Sequence, residues 1–218
     1  MMASKLECKQ CKEWFRREAM IKLPRGRFCT MDHAVLFAQS AQKKKAERDK
    51  AKRDKQLRQQ HREQKEAIKT DRQLQAEAQA SFNKWIRARD YFEPCISCGK
   101  SKEEIEATQG WKVGGCWDAG HFKSRGAKPQ LRFNVFNVHK QCKSCNGGGG
   151  KFSAKAATVD AQYEVNLIAK IGQEKVDWLK NNNDIRKFDA DYYRRIKRIF
   201  NKKYRVQVKR NEKTKGAS

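Results

Sequence analysis

The chain lacks any apolar run near the roughly 20 residues that a membrane-spanning helix needs. Its first residues, MMASKLECKQ, lack the apolar stretch of a secretory leader. These two absences predict no membrane partner. Hydrophobic residues make up only 38% of the 218, too few for one large core, so small units are expected. Carboxylates are scarce: 25 Asp and Glu stand against 51 Lys and Arg, a formal charge of +26. A field of that sign attracts polyanions, because covering phosphates releases their counterions. Nucleic acid is therefore the first partner to expect. Residues 38–80 have neither glycine nor proline, and Leu57, Ile68 and Leu74 are nearly their only large apolar residues. That argues against a sustained coiled-coil seam. The reading is an exposed charged helix or a partly disordered linker; the sharper alternatives are a dimerising coiled coil or an arm that tracks DNA.

What is present divides into four regions. Residues 1–37 are short, cysteine-bearing and turn-rich, with Pro24 and Gly26. Residues 38–80 are the charged helical connector. Residues 81–157 hold the motifs. Phe82, Trp85 and Ile86 have helical spacing and lead towards Cys95, with Pro94 as a stop. The stretch 116–122 predicts a strand, and LRFNVFNVH predicts a second extended segment or an ordered loop. Residues 158–218 read as helices. Tyr163, Leu167, Ile168, Ile171, Val176 and Leu179 share an apolar face, and a basic last helix starts after Asp189. The tail from Lys209 is expected to fray.

Six of the eight cysteines fall in Cys-x-x-Cys pairs. In a reducing compartment that spacing means metal rather than disulfides, so an intracellular, cytoplasmic protein is expected. Cys95, Cys98, Cys142 and Cys145 supply four thiolates for a tetrahedral structural Zn²⁺. Cys8, Cys11, Cys29 and His33 supply a second set of zinc type; the alternative for His33 is a solvated helix-start residue. Cys116 has no partner and reads as a buried thiol.

Asp118, His121 and Asn146 lie between or beside the second cysteine set. A carboxylate and an amide oxygen suit Mg²⁺ or Mn²⁺. An imidazole nearby can take a proton from water near neutral pH. Together with a basic surface, these are the parts of phosphodiester hydrolysis. The alternatives for His121 are a satisfied core histidine or a zinc ligand. His61 reads as solvated.

The blocks PCISCG, WDAGHF, PQLRFN, NVHKQCKSCN and IAKIGQE resemble, in order, the phage recombination protein family NinG, also called Rap. The resemblance spans most of residues 82–180. It extends in layout to the N-terminal cysteines, where His33 stands in place of the family's usual Cys. It implies an α+β fold: a small zinc-stapled ββα-metal (HNH-like, treble-clef type) nuclease core with a long charged connecting helix, an N-terminal zinc module and C-terminal helices. The Holliday-junction resolvase endonuclease VII is similar at a greater distance. It has an Asp three residues before its catalytic His and an Asn directly after its last zinc Cys. The resemblance implies His121 as general base and Asp118 with Asn146 as Mg²⁺ or Mn²⁺ ligands. It implies that Asn137 ties the loop that orients the His. The segment GGGGKFSAK after Asn146 departs from the family, which leaves any further ligand open.

Lys123, Arg125 and Arg132 are placed to meet phosphates, or are ordinary surface charge. His139 either faces DNA, with Lys140 beside it, or packs under the zinc. The implied function is metal-dependent cleavage of branched recombination intermediates such as Holliday junctions and D-loops, in the host cytoplasm if phage-encoded. DNA, a homodimer and other phage recombination proteins are the partners this implies. The competing reading is a non-catalytic zinc protein that binds nucleic acid in recombination. It accounts for the charge and the cysteines but not for Asp118, His121 and Asn146 together.

Overall fold

The computed structural model describes residues 4–148 and 156–216. The fold is mixed α and β, mostly helical, in two units, 1–68 and 69–218. The segment 149–155, most of the glycine-rich departure, lies outside the described residues.

The first unit begins with two short antiparallel hairpins. One pairs β1 (Lys5–Glu7) with β2 (Trp14–Arg16), and the other pairs β3 (Ile21–Leu23) with β4 (Gly26–Phe28). Cys8, Met20, Phe28 and Ala34 form its small core. Helix α1 (Met31–Ala67) follows, capped by Thr30, whose side chain accepts from the His33 amide. Ala34 is its one buried residue among 37, as its composition dictates. It is an exposed helix with no apolar face to bury.

The connector is not a single element. The chain breaks at 68–70, and α2 (Asp71–Arg89) starts with a capping box in which Thr70 and Gln73 satisfy each other's amides. The expected edge at 80/81 falls inside α2. The reason is an apolar stripe, Leu74, Ala78, Phe82 and Ile86, that runs through it and is buried.

After α2 come α3 (Lys102–Gln109), β5 (Trp117–His121), β6 (Val138–Cys142), α4 (Lys143–Gly148), α5 (Ala156–Ile171), α6 (Gln173–Asn181) and α7 (Ala190–Gly216). β5 and β6 are antiparallel, with Asp118 opposite Gln141 and His121 opposite Val138. Helix α4 continues directly from β6, so a two-stranded sheet is followed at once by a helix.

Among the described residues three buried clusters hold this unit, one of them Cys95, Ile105, Cys116 and Cys142 around the second cysteine set. The α2 stripe meets Ala119 of β5, Phe133, Val138 of β6, and Tyr193, Ile196 and Phe200 of α7. Phe82 is fully buried, its ring 4.7 Å from Phe200 and 5.7 Å from Phe133, both edge-on. Removing such a ring costs about 3–5 kcal/mol. The second core joins the expected apolar face of Tyr163, Leu167, Val176 and Leu179 to Ile96 and Leu131. The regions expected at 81–157 and 158–218 therefore share their cores. The expected frayed tail is helical to Gly216, because Asn211 is buried and donates to the Ala88 carbonyl at 2.7 Å.

Two metal-type clusters and a polar cleft

Both cysteine sets come together. In each, the ligand atoms lie within 4.8 Å of one another, and the cysteines are free thiols. Each is built from a knuckle and a helix start. In the first knuckle the Cys8 amide donates to the Glu13 carbonyl and the Lys12 amide to that of Cys8. In the second, the Cys95 amide donates to Lys100 and the Gly99 amide to Cys95. Lys12 (φ +67°) and Gly99 (φ +68°) take the same left-handed turn that lets the two sulfurs converge. The remaining ligands come from the starts of helices: Cys29 and His33 at α1, Cys142 and Cys145 at α4.

The donor sets fit zinc. A tetrahedron with Zn–S of about 2.3 Å has S···S edges of about 3.8 Å, and Cys11 and Cys29 lie 3.8 Å apart. His33 points Nδ1 into the first site, 2.9 Å from the Cys29 sulfur. It is thus both a helix-start residue and a cluster member. Four thiols this close cannot all ionise unaided. A hydrogen bond from Cys95 holds Cys142 down to about 4, while that same bond and burial push Cys95 well up. Burial and the neighbouring Cys142 raise Cys145 to about 12. At the other site burial lifts Cys29 to about 11; burial is outweighed at Cys8, where amides of Cys11, Cys29 and Gln10 lower it to about 6. A dication would resolve this competition by stabilising every thiolate at once.

The second cluster fixes Asn146, which follows Cys145 on α4. Its Nδ2 lies 3.0 Å from Asp118 Oδ2 on β5. Both side chains line a cleft of about 390 Å³ that also includes His121, Arg125, Asn83 and Asp160. His121 closes β5. Its Nε2 lies 3.1 Å from the carbonyl oxygen of Arg132. A carbonyl can only accept, so Nε2 carries the proton and Nδ1 keeps its lone pair. Burial is the main cause that pushes the His121 pKa down to about 4. Arg125 and Arg132 push the same way, against the Arg132 and Ala119 carbonyls. The imidazole is neutral at physiological pH.

Asn137 has no exposed surface. Its Oδ1 accepts from the Lys123 amide at 2.8 Å, and its Nδ2 donates to the carbonyls of Lys123 (3.0 Å) and Leu131 (3.2 Å). It therefore ties both ends of the loop that runs from His121 to Arg132.

The expected phosphate contacts divide. Arg125 is exposed at the cleft. Lys123 is half-buried, its ammonium 4.4 Å above the Phe122 ring. Arg132 is half-buried and reaches Gln79 at 3.5 Å. His139 and Lys140 turn inward, each only 3% exposed, so neither faces nucleic acid. The cause is a residue the sequence did not single out. Asp90 is buried at the end of α2, gripped by Arg89 through two bonds of 2.7 Å. It accepts the Lys140 amide at 3.0 Å and lies 3.6 Å from His139 Nδ1. Burial opposes its charge, but Arg89 and His139 hold its carboxyl well below the usual range. The Lys140 ammonium is held by the Tyr91 carbonyl at 3.0 Å. A signal was present in the Arg-Asp dipeptide before Tyr91, but its partners are some 50 residues away.

Gly120 keeps the cleft wall thin. A Cβ there would lie 1.9 Å from Gln141 Oε1 and 2.9 Å from its Cβ, while buried Gln141 donates to Ser97 at 2.7 Å. Tyr163 of α5 donates to the Gly120 carbonyl at 3.0 Å, which fixes α5 to the same strand. Among the described residues no helix is long and apolar enough to cross a membrane.

Comparison with known proteins agrees along nearly the whole chain. The family model described as Bacteriophage Lambda NinG protein matches residues 2–213. The chain is similar to the protein ninG of Escherichia phage 933W, 35% identical over 97% of this chain and 96% of that one. It is 36% identical to the ninG protein of Escherichia phage lambda over 65% of this chain and 59% of the other. The ninG protein of Salmonella phage P22 is 35% identical over 58% of this chain and 54% of its own length. No solved structure matches.

Proposed function

The chain belongs to the NinG family, and on that footing we propose that it is a metal-dependent endonuclease that hydrolyses branched DNA in phage recombination. One observation carries the reading. His121 is held with its proton on the Arg132 carbonyl and its lone pair free, in the cleft where Asp118 and Asn146 converge. A general base needs that tautomer and a pKa below working pH.

Asp118 and Asn146 fit a hard cation. They supply a carboxylate and, with its amide turned, a carbonyl oxygen, separated by one hydrogen bond. Two protein ligands leave room for water and phosphate oxygens, which Mg²⁺ and Mn²⁺ prefer to keep. Such an ion would stabilise negative charge on the reacting phosphate. His121 Nδ1 takes the proton from the attacking water. The Asn137 tie holds the Arg132 carbonyl in place, and that carbonyl stabilises the imidazolium that results. Arg125, exposed at the cleft, meets a flanking phosphate. A zinc held by Cys95, Cys98, Cys142 and Cys145 would take no part in the chemistry; it would set α4, and so Asn146, against β5. The order of parts supports reading this unit as a ββα-metal core: β5 would end in the base, β6 in a zinc ligand, and α4 would supply the second cation ligand.

A purely binding protein would explain the charge but not the orientation of His121. The test incubates purified protein with linear, three-way and four-way DNA, with Mg²⁺, with Mn²⁺ or with neither. Metal-dependent cutting of branched DNA that disappears in His121→Ala is expected. Equal cutting by wild type and His121→Ala, or no cutting of any substrate, would refute it.

A further inference from the structure

Helices α1 and α7 each carry eleven Lys and Arg, but they arrange charge differently. In α1 six acids are interspersed among the bases. That mixture suits a helix that only needs water. In α7 the two acids stand near the ends: Asp191, whose carboxylate accepts from Arg194, and Glu212. No carboxylate interrupts residues 192–211.

The inner face of α7 is committed to the core through Tyr193, Ile196, Phe200 and Asn211. At 100° per residue, Arg195, Arg198, Lys202, Arg205, Lys209 and Lys213 fall on one stripe of the opposite face. All six are exposed, and none meets a carboxylate among the described residues. Six like charges along one ridge repel one another, and solvation alone gives no reason to keep them together. From Arg195 to Lys213 the stripe runs about 27 Å at about 1.5 Å per residue. The ridge is rigid, because α7 is bonded to α2 along its length: Gln75 donates to the Tyr193 hydroxyl, Phe200 packs on Phe82 and Trp85, and Asn211 bonds to Ala88. Helix α2 also gives Asn83 to the cleft, so ridge and cleft share a support.

We infer that the outward face of α7 is a docking surface for the phosphate backbone of duplex nucleic acid. A straight ridge of fixed cations matches a duplex, which offers one phosphate per about 1.7 Å of axis. An anionic bilayer is the poorer match, because Ile199 and Val206 are the apolar residues on this face and give too little area to insert. The contacts carry no base information, so the surface adds affinity without sequence preference. The inference deepens the nuclease reading by naming where its substrate's duplex arm is held.

The experiment compares the full chain with a fourfold variant, Arg198→Gln, Lys202→Gln, Arg205→Gln and Lys209→Gln. Binding to a labelled linear duplex is followed by anisotropy over a range of salt, without Mg²⁺ or Mn²⁺, so that cleavage cannot intrude. Each lost phosphate contact lowers the log–log salt slope by about 0.9, so a fall of up to about 3.6 and at least tenfold weaker binding are expected. A matched variant of α1, Lys45→Gln, Arg48→Gln, Lys52→Gln and Lys55→Gln, removes the same charge. An equal loss in both variants assigns the effect to net charge and overturns the inference. So does unchanged duplex binding, or binding of phosphatidylserine vesicles that alone depends on the α7 residues. Should the fourfold variant misfold, the doubles 198/202 and 205/209 each take half the slope. Failure to cleave branched DNA would refute the nuclease reading and leave this measurement standing.

Discussion

Removing the Asn137 side chain should weaken the fold and the chemistry together, for a reason that can be counted. Asn137→Ala takes away three hydrogen bonds of a fully buried side chain, of 2.8, 3.0 and 3.2 Å, and strands the Lys123 amide and carbonyl, while the Leu131 carbonyl keeps the Asn134 amide at 3.1 Å. Each bond contributes about 1 kcal/mol net, and stranding buried polar groups costs more. A loss of about 3–5 kcal/mol follows. For a unit of this size 1 kcal/mol moves the melting temperature by about 2–4 °C, so a fall of roughly 10 °C is expected. Tryptophan fluorescence suits the measurement, because four of the five tryptophans, Trp85, Trp111, Trp117 and Trp178, lie in the unit 69–218. Cleavage measured well below the new melting point should also fall, because the Arg132 carbonyl no longer holds His121. Asn137→Asp keeps the acceptor for the Lys123 amide but cannot donate to the two carbonyls, so it should recover part of the stability and little of the activity. A melting temperature within 2 °C of wild type for Asn137→Ala would show the loop is held by something else.

His121→Ala should lower cleavage about 10²–10⁴-fold while zinc content and duplex binding stay unchanged; loss of the zinc as well would mean the histidine is structural. Because the neutral imidazole is the base and its pKa is about 4, the rate should rise with pH only near 4 and owe no rise to this group between pH 6 and 8. A histidine-dependent rise centred near 6.5 would contradict the buried setting. Elemental analysis should find two zinc ions per chain, and His33→Ala should lose the first while the Cys95 cluster keeps its own. Retention of both would remove His33 from the ligand set. Gly120→Ala should cost about 1–3 kcal/mol in a denaturant titration, because the new Cβ displaces Gln141 from Ser97; unchanged stability would show that Gln141 can move freely.

What could be read from the sequence was local. A Cys-x-x-Cys pair fixes its own turn, so both metal-type clusters were visible from spacing. Asp118 and His121 were noticed because they stand between such pairs. The apolar face from Tyr163 to Leu179 was visible because helical periodicity is written within about two turns. The rest depended on partners far along the chain. Nothing near Lys209 announces that Asn211 will bond to Ala88, so the tail looked free. The sequence leaves His139 between facing DNA and packing under the zinc, and Lys140 as a surface cation, because the Asp90 that draws them inward lies 49 and 50 residues away. Asn137 came into view through its family pattern, and its three bonds to the loop are visible only in the fold.

The capping box at Thr70 has a consequence for how the polypeptide can be divided. Helix α2 satisfies its first amides with Thr70 and Gln73 and takes nothing from α1 to do so. Lys69 is tied forward to Glu77, which also receives Lys197 from α7. A gene shortened to start at Lys69 would keep an intact helix start, the buried clusters of that unit and every residue around the cleft. A chain begun at position 69 is therefore expected to fold with its cleft, which would make that position a natural point for fusing tags or foreign binding modules.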